Sequence, residues 1–181
     1  MSPDCFQILE IPRQPWVDEN QLKEHFHRLA AIHHPDAPGG NTSVFAELNT
    51  AWQTLRNPAG CLRHYLALEH PASLTIAERT PQELGDLFME IADARQSAQS
   101  LIARRSSAPT LARALMESER IALRSRFDGL TAQITARIAT SHAAIRTHAQ
   151  PAETLAKILA TLSFLEKWAG QLEETKTALI V

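Results

Sequence analysis

A chain of 181 residues with 44% hydrophobic and 21% charged residues has the composition of an ordinary folded protein, long enough for one domain or two small ones. Its formal net charge of −2 lacks the basic excess of nucleic-acid-binding domains, and no apolar run reaches the roughly eighteen residues that a membrane span needs. The first residues do not resemble a secretory signal. Cys5 and Cys61 stand apart, which favours reduced core thiols over a disulfide or a zinc site. We expect a cytoplasmic protein that holds no metal or cofactor and binds neither nucleic acid nor membrane.

The sequence predicts helices almost throughout, because period-two alternation and β-branched runs are scarce. A short helical turn covers Cys5 to Leu9, and the prolines that follow end it. Asp18 is typical of an N-cap for a second helix, which ends near His33, before Pro35. The apolar face of that helix has helical spacing, at Leu22, Phe26, Leu29 and Ala30.

A third helix is predicted to begin at Thr42 or Ser43 and to stop at Asn57-Pro58. Its seam recurs at steps of three and four residues, at Phe45, Leu48, Trp52 and Leu55. A shorter helical piece follows, and a stretch rich in Pro, Ser and Thr marks a domain boundary near residues 71–80. The first 70 residues thus predict an antiparallel helical hairpin with short flanking helices.

Three further helices are predicted over residues 81–105, 110–147 and from Pro151 onward. The first has its seam at Leu84, Leu87, Ile91, Ala94, Ala98 and Leu101. The second has its inward positions at Leu111, Leu115, Phe127, Leu130, Ile134, Ile138 and Ile145. The third has its seam at Leu155, Ile158, Leu162, Leu165, Ala169 and Leu172. Short loops and heptad-like seams predict an up-down-up three-helix bundle over residues 81–181, within an all-α protein.

The loop between the second and third helices carries His34-Pro35-Asp36. Pro35 restricts the backbone of the loop, so the loop loses little conformational entropy when a partner binds it. Asp36 can accept a charge-assisted hydrogen bond from an arginine, and His34 offers a donor and an acceptor. This motif between two amphipathic helices resembles the J domain, the module that recruits chaperones of the seventy-kilodalton heat-shock class. The resemblance implies that the loop, with Lys23, His27 and Arg28 on the preceding helix, docks on such an ATP-driven chaperone.

Other interpretations of these residues stay open. His34-Pro35-Asp36 is also compatible with a plain helix stop followed by a polar turn, and Lys23 and Arg28 with a mixed solvated face. An enzyme that pairs His34 with Asp36 would need a nucleophile in a recognisable motif, and we find none, so we expect no catalytic residue. The four histidines of this region, His25 among them, lack the spacing of a helical metal site and are expected at the surface.

Nearly the whole chain resembles the HscB family, the J-domain co-chaperones of iron–sulfur cluster assembly, although residues 97–152 match it only by pattern. The similarity is carried by residues 48–58 (LNTAWQTLRNP), by 87–90 (LFME) with Ala94-Arg95, and by 162–167 (LSFLEK) with 171–174 (QLEE). It implies an HscA-like chaperone as one partner and an IscU-like scaffold as the other. The positions it assigns to scaffold binding are Phe88, Met89, Ala92, Asp93, Gln96 and Phe164.

The residues support this surface in part. Met89 and Phe164 lie one step off their seams, where a large side chain is less easily buried, although they could also widen the core stripe. Phe88 and Trp168 are expected in the core. The chain departs from the family pattern at Ala92, which replaces a larger apolar residue, and at Gln96, which stands where acids are usual.

These features predict a two-part adaptor with no activity as an enzyme. Residues 1–70 would stimulate the ATPase of the chaperone, residues 71–80 would be a linker, and residues 81–181 would deliver the scaffold. Three alternatives remain: a J-domain co-chaperone for a different client protein, a helical interaction protein without a chaperone, and an enzyme.

Overall fold

The computed structural model describes residues 3–147 and 150–179, and the regular elements within them are all helical, so the predicted all-α fold is confirmed. The first helices are α1 (Cys5–Ile8), α2 (Glu19–His33), α3 (Thr42–Arg56), α4 (Pro58–Glu69) and the single turn α5 (Leu74–Ala77). The later helices are α6 (Gly85–Ser106), α7 (Thr110–Leu115), α8 (Glu117–Arg146) and α9 (Ala152–Ala178). Turns of 3₁₀-helix lie at Pro71–Ser73 and Gln82–Leu84. No helix in the described ranges has the length and apolar character of a membrane span.

Side-chain caps and prolines set the helix ends of the first half. The predicted N-cap Asp18 is present, and its carboxylate accepts from the backbone N–H groups of Asn20 and Gln21 at 2.9 and 3.1 Å. Asn57 ends α3 and caps α4, with its side-chain oxygen 2.7 Å from the amide of Gly60. Pro58 occupies the first turn of α4, where a missing N–H costs nothing.

The antiparallel pair α2 and α3 closes on α1 and α4 around one apolar core. Phe6, Leu9, Leu22 and Leu48 are almost fully buried in it. The predicted seams of both hairpin helices therefore face inward. Cys61 is buried in the same core, and burial raises the pKa of its thiol to about 12, so it is a neutral core residue.

His64 of α4 ties the N-terminus of the chain to this core. Its Nε2 accepts from the backbone N–H of Cys5 at 3.0 Å, and its ring stacks on Phe6 at 5.5 Å between centroids. Burial lowers the pKa of His64, with Arg13 adding to the effect and Asp4 opposing it. The hydrogen bond requires the unprotonated nitrogen, so the neutral imidazole is the form that the fold stabilises.

The bundle core lies between α6, α8 and α9. Its buried members match the predicted seams at Leu84, Leu87, Ile91, Ala94, Ala98, Leu101, Phe127, Leu130, Ile134, Leu165 and Leu172. Leu111 and Leu115 were predicted to face inward, and this is wrong: each is 77% exposed. The predicted helix over residues 110–147 is broken after Leu115, and it is Met116 that packs against the core. The short α7 therefore turns its leucines outward.

The chain divides into two compact units, and the division falls within both α8 and α9. One unit comprises Met1–Arg79 with His142–Ala160, and the other Thr80–Ser141 with Thr161–Val181. Within the first unit, the guanidinium carbon of Arg146 lies 4.1 Å from the ring centroid of Trp16, a cation–π interaction that the sequence does not predict. The functional division at residues 70 and 81 stays a prediction, and the predicted linker contains α5.

Candidate functional site

The loop with His34-Pro35-Asp36 is closed by hydrogen bonds at both ends. His34 has ψ of 138° because Pro35 disfavours the helical conformation in the residue before it. The backbone N–H of Asn41 donates to the carbonyl of His33 at 3.2 Å, and the Asn41 side chain caps α3 by accepting from Ser43 and Val44. The end of α2 and the start of α3 are thereby joined directly, and the loop projects from a fixed base.

Two successive turns shape the loop between those ends. The N–H of Ala37 donates to the carbonyl of His34, and the N–H of Gly40 donates to the carbonyl of Ala37, both at 2.9 Å. Gly39 has φ of 82°, in the left-handed region that favours glycine. At Gly40 the requirement is space: a Cβ there would lie 1.8 Å from the carbonyl oxygen of His34. Gly40 is thus a structural requirement of the motif, and the sequence shows it only as one of two loop glycines.

The loop presents its imidazole and its carboxylate to solvent. The His34 ring lies edge-on to Phe45 of α3, with centroids 5.1 Å apart, and its Nδ1 accepts from the backbone N–H of Asp36 at 3.2 Å. That acceptor role places the proton of the neutral ring on Nε2, which stays available to a partner. The side chain of Asp36 is 91% exposed and 3.6 Å from Nδ1 of His34. The two side chains are therefore oriented by contacts within the loop but still offer hydrogen-bonding groups to another protein.

The predicted basic residues of α2 are neutralised within the chain. Lys23 pairs with Glu19 at 2.6 Å, and Arg28 pairs with Glu10 at 2.7 Å. His27 is exposed, with its ring 5.7 Å from that of Phe26. All three lie on α2, the helix that leads into the loop, but the lysine and arginine charges are shared with carboxylates.

His25 was expected at the surface with the other histidines, and this is wrong. It is half-buried, and its Nδ1 is 2.9 Å from the carbonyl oxygen of Leu9, at the end of α1. The carbonyl can only accept, so the His25 nitrogen donates. His25 therefore holds α1 against α2.

The predicted scaffold surface of the bundle is exposed for the most part. Phe88 and Met89 are 51% and 65% exposed, and Ala92 and Asp93 are exposed on the same helix, α6. Phe88 was expected in the core, and this is wrong: it leans outward with its ring 5.9 Å from that of Trp168. Trp168 is buried, as predicted.

Phe164 is only half-buried, and its ring is 5.8 Å from that of Trp168. It packs against the bundle core, so it widens the core stripe while keeping an accessible edge. The Asp93 carboxylate forms an ion pair with Arg126 of α8 at 2.7 Å. The negative charge that Asp93 brings to the predicted scaffold surface is therefore partly neutralised by Arg126.

A groove between α6 and α9 brings three of the six predicted residues together. Its walls include Phe88, Ala92 and Gln96, with Trp168 below them. Arg95 also lines it and donates to the side-chain oxygen of Gln171 at 2.9 Å. In the sequence Arg95 stands out only as part of a motif, and no signal there places its guanidinium in the groove.

Comparison with known proteins covers the first third of the chain. Residues 4–63 match the DnaJ domain family. Chaperone protein DnaJ of Chelativorans sp. (strain BNC1) is 38% identical over 61 residues, 32% of this chain and 16% of that protein. Chaperone protein DnaJ of Caldicellulosiruptor bescii is 38% identical over 58 residues, 30% of this chain and 14% of that protein.

Small t antigen of murine polyomavirus (strain A2) is 32% identical over 57 residues, 32% of this chain and 29% of that protein. The chain therefore spans less than a third of the length of these relatives, all within the helical hairpin and its flanks. No solved structure matches the chain significantly. Since residues 4–63 match the DnaJ domain family and fold as a closed hairpin around His34-Pro35-Asp36, this chain contains a J domain.

Proposed function

We propose that this protein is a co-chaperone that stimulates the ATPase of an HscA-like chaperone of the seventy-kilodalton heat-shock class. The observation that carries the proposal is the exposed His34-Pro35-Asp36 loop inside a matched J domain. A rigid loop with an exposed carboxylate suits an arginine on the partner, and its fixed backbone limits the entropy lost on binding. The groups that hydrolyse ATP then belong to the chaperone. The cytoplasm is the proposed location of both proteins.

We further propose that the bundle delivers an IscU-like scaffold to that chaperone during iron–sulfur cluster assembly. Support comes from Phe88, which is exposed in the groove of α6 and α9, from the exposed Met89 that follows it in α6, and from the similarity to the HscB family. Carrying both sites on one chain raises the local concentration of scaffold at the chaperone. A J-domain co-chaperone for a different client is the competing proposal, since the comparisons cover residues 4–63 alone.

A steady-state ATPase assay tests both proposals. The full-length protein is added to an HscA-like chaperone, with and without an IscU-like scaffold. We expect stimulation by the wild type and none by His34→Gln, whose fold, followed by circular dichroism, should be unchanged because the side chain is half-exposed. Equal stimulation by both proteins would refute the docking role of the loop. Stimulation without any synergy from the scaffold would favour a different client.

A further inference from the structure

The corner formed by the end of α6, by α7 and by the start of α8 has the opposite charge to the rest of the chain. Residues 102–126 contain six arginines and two glutamates, a net charge of +4, whereas the whole chain carries −2. Three arginines pair with carboxylates: Arg104 with Glu119, Arg120 with Glu117 and Arg126 with Asp93. The corner is therefore a local positive region on an acidic protein.

The remaining arginines of this corner form no direct ion pair in the described part of the chain. Among the described residues, no carboxylate lies at ion-pair distance from Arg105, Arg113 or Arg124. Arg105 is close enough to Glu117, and Arg124 to Asp128, to help lower the pKa of those carboxyls, whereas Arg113 has no such neighbour in the described ranges. The Nε of Arg113 donates to the carbonyl of Ala108 at 2.9 Å, which fixes the start of the guanidinium and leaves its terminal nitrogens for a ligand.

The same corner also exposes large apolar side chains. Leu111 and Leu115, four residues apart on one face of α7, are each 77% exposed, while Ala112 and Met116 are half-buried. A helix that covers an alanine and a methionine and exposes two leucines does not follow the usual preference. An exposed aliphatic pair of this kind is a candidate binding surface.

A pocket lies in the same corner, and its lining includes the arginines but neither leucine of the pair. Arg105 and Arg113 line it together with the apolar side chains of Ile102 and Leu179, all within the bundle unit. A guanidinium beside aliphatic walls is complementary to a carboxylate carried on an apolar stem. Arg113 and the leucine pair lie on different sides of the same short helix. A partner helix that crosses α7 can bring aliphatic side chains to the leucines and acidic side chains to the arginines.

We propose that this corner docks an acidic amphipathic helix of a partner protein, at a site separate from the J domain and from the groove of α6 and α9. The leucine pair supplies the apolar contact, and Arg105 and Arg113 supply the selection for acidic residues. A membrane surface fits less well, because Arg105 and Arg113 line a pocket that a side chain can enter. Residues 102–121 also contain no aromatic residue to anchor at an interface.

Fluorescence anisotropy on the full-length protein tests this directly. The probe is a labelled helical peptide of about 18 residues, some five turns, with Leu on one face and Glu on the flanks. A second peptide carries Lys in place of Glu, and vesicles of phosphatidylcholine with phosphatidylserine form a membrane arm. We expect the Glu peptide to bind at least tenfold more tightly than the Lys peptide, and the vesicles not to bind.

Two double variants and one control assign the binding to the corner. Arg105→Glu with Arg113→Glu, and Leu111→Ser with Leu115→Ser, should each weaken binding of the Glu peptide at least tenfold. Arg137→Glu removes an exposed arginine of α8 elsewhere and should leave it unchanged. Equal binding of both peptides, no binding at millimolar protein, binding to vesicles alone, or self-association of the chain in sedimentation would each overturn the proposal.

Discussion

Gly40 offers the sharpest test of how the J-domain loop is built. The backbone there has no positive φ, so alanine would be tolerated if only conformation mattered. The added Cβ, however, would lie 1.8 Å from the carbonyl oxygen and 2.8 Å from the carbonyl carbon of His34. A backbone group cannot swing aside as a flexible side chain can, so Gly40→Ala must displace the turn that carries the motif.

The expected magnitude follows from the bonds that this displacement breaks. The turn is held by two backbone hydrogen bonds, from Ala37 to His34 and from Gly40 to Ala37, each at 2.9 Å. At about 1 kcal/mol for each, their loss lowers the free energy of unfolding by about 2 kcal/mol. For a protein of this size that corresponds to a melting temperature lower by about 4–8 °C. Stimulation of the partner ATPase should fall as well, because His34 moves.

Two other glycines provide controls for the same substitution. Gly129→Ala, in the middle of α8 with nothing near its Cβ, should raise stability by about 1 kcal/mol, since alanine is the better helix former. Gly39→Ala has free space but a left-handed backbone, and should cost about 1 kcal/mol. Thermal unfolding and ATPase assays are run on all three. A Gly40→Ala protein with wild-type stability and wild-type stimulation would refute the close-packing argument.

Three further predictions concern other parts of the molecule. Met89→Ala should leave the melting temperature unchanged, whereas Phe164→Ala should lower the free energy of unfolding by about 1–2 kcal/mol because that ring packs on the bundle core. Both variants should weaken scaffold binding in calorimetry. A large loss of stability in Met89→Ala would contradict a surface role for Met89. The pKa of His64 is lowered by burial, so its contribution to stability is present above the unfolded pKa of about 6.5 and is lost as pH falls through the folded pKa. The melting temperature of the wild type should therefore fall more steeply below about pH 6.5 than that of His64→Gln, and parallel curves would exclude this assignment. Glu10→Gln should release Arg28 from its ion pair and speed association with the chaperone at low salt in stopped-flow measurements, whereas an unchanged rate would show that Arg28 does not face the partner.

Local signals explain why the first half of the fold was predictable. Asp18, Pro35 and the Asn57-Pro58 pair act on the backbone within one helical turn, and the structure places the helix ends there. The position of the His34-Pro35-Asp36 loop could be predicted as well, because the helix that ends before Pro35 and the helix that follows leave only a short connection between them. What Gly40 contributes depends on how closely it approaches a carbonyl six residues earlier, a distance that no sequence pattern carries.

The errors in the second half have a tertiary origin. Leu111, Leu115 and Phe88 are apolar residues at or beside helical seams, and periodicity alone predicts burial. Their exposure depends on whether another helix covers that face, and the six residues of α7 leave its outer side uncovered. Large apolar residues that remain exposed for this reason lie on the surfaces for which we propose binding partners.

The electrostatics of α2 constrain how the J domain can recognise a chaperone. Because Lys23 and Arg28 are each held by a carboxylate, long-range attraction contributes little to the association rate. The strength of the complex must then rest on slow dissociation, which is favoured when the contacting groups are already ordered before binding. The loop meets that condition: His34 is fixed by Phe45 and by the amide of Asp36, and both ends of the turn are tied by backbone hydrogen bonds. The docking of this J domain should consequently depend weakly on salt and strongly on the geometry of three residues.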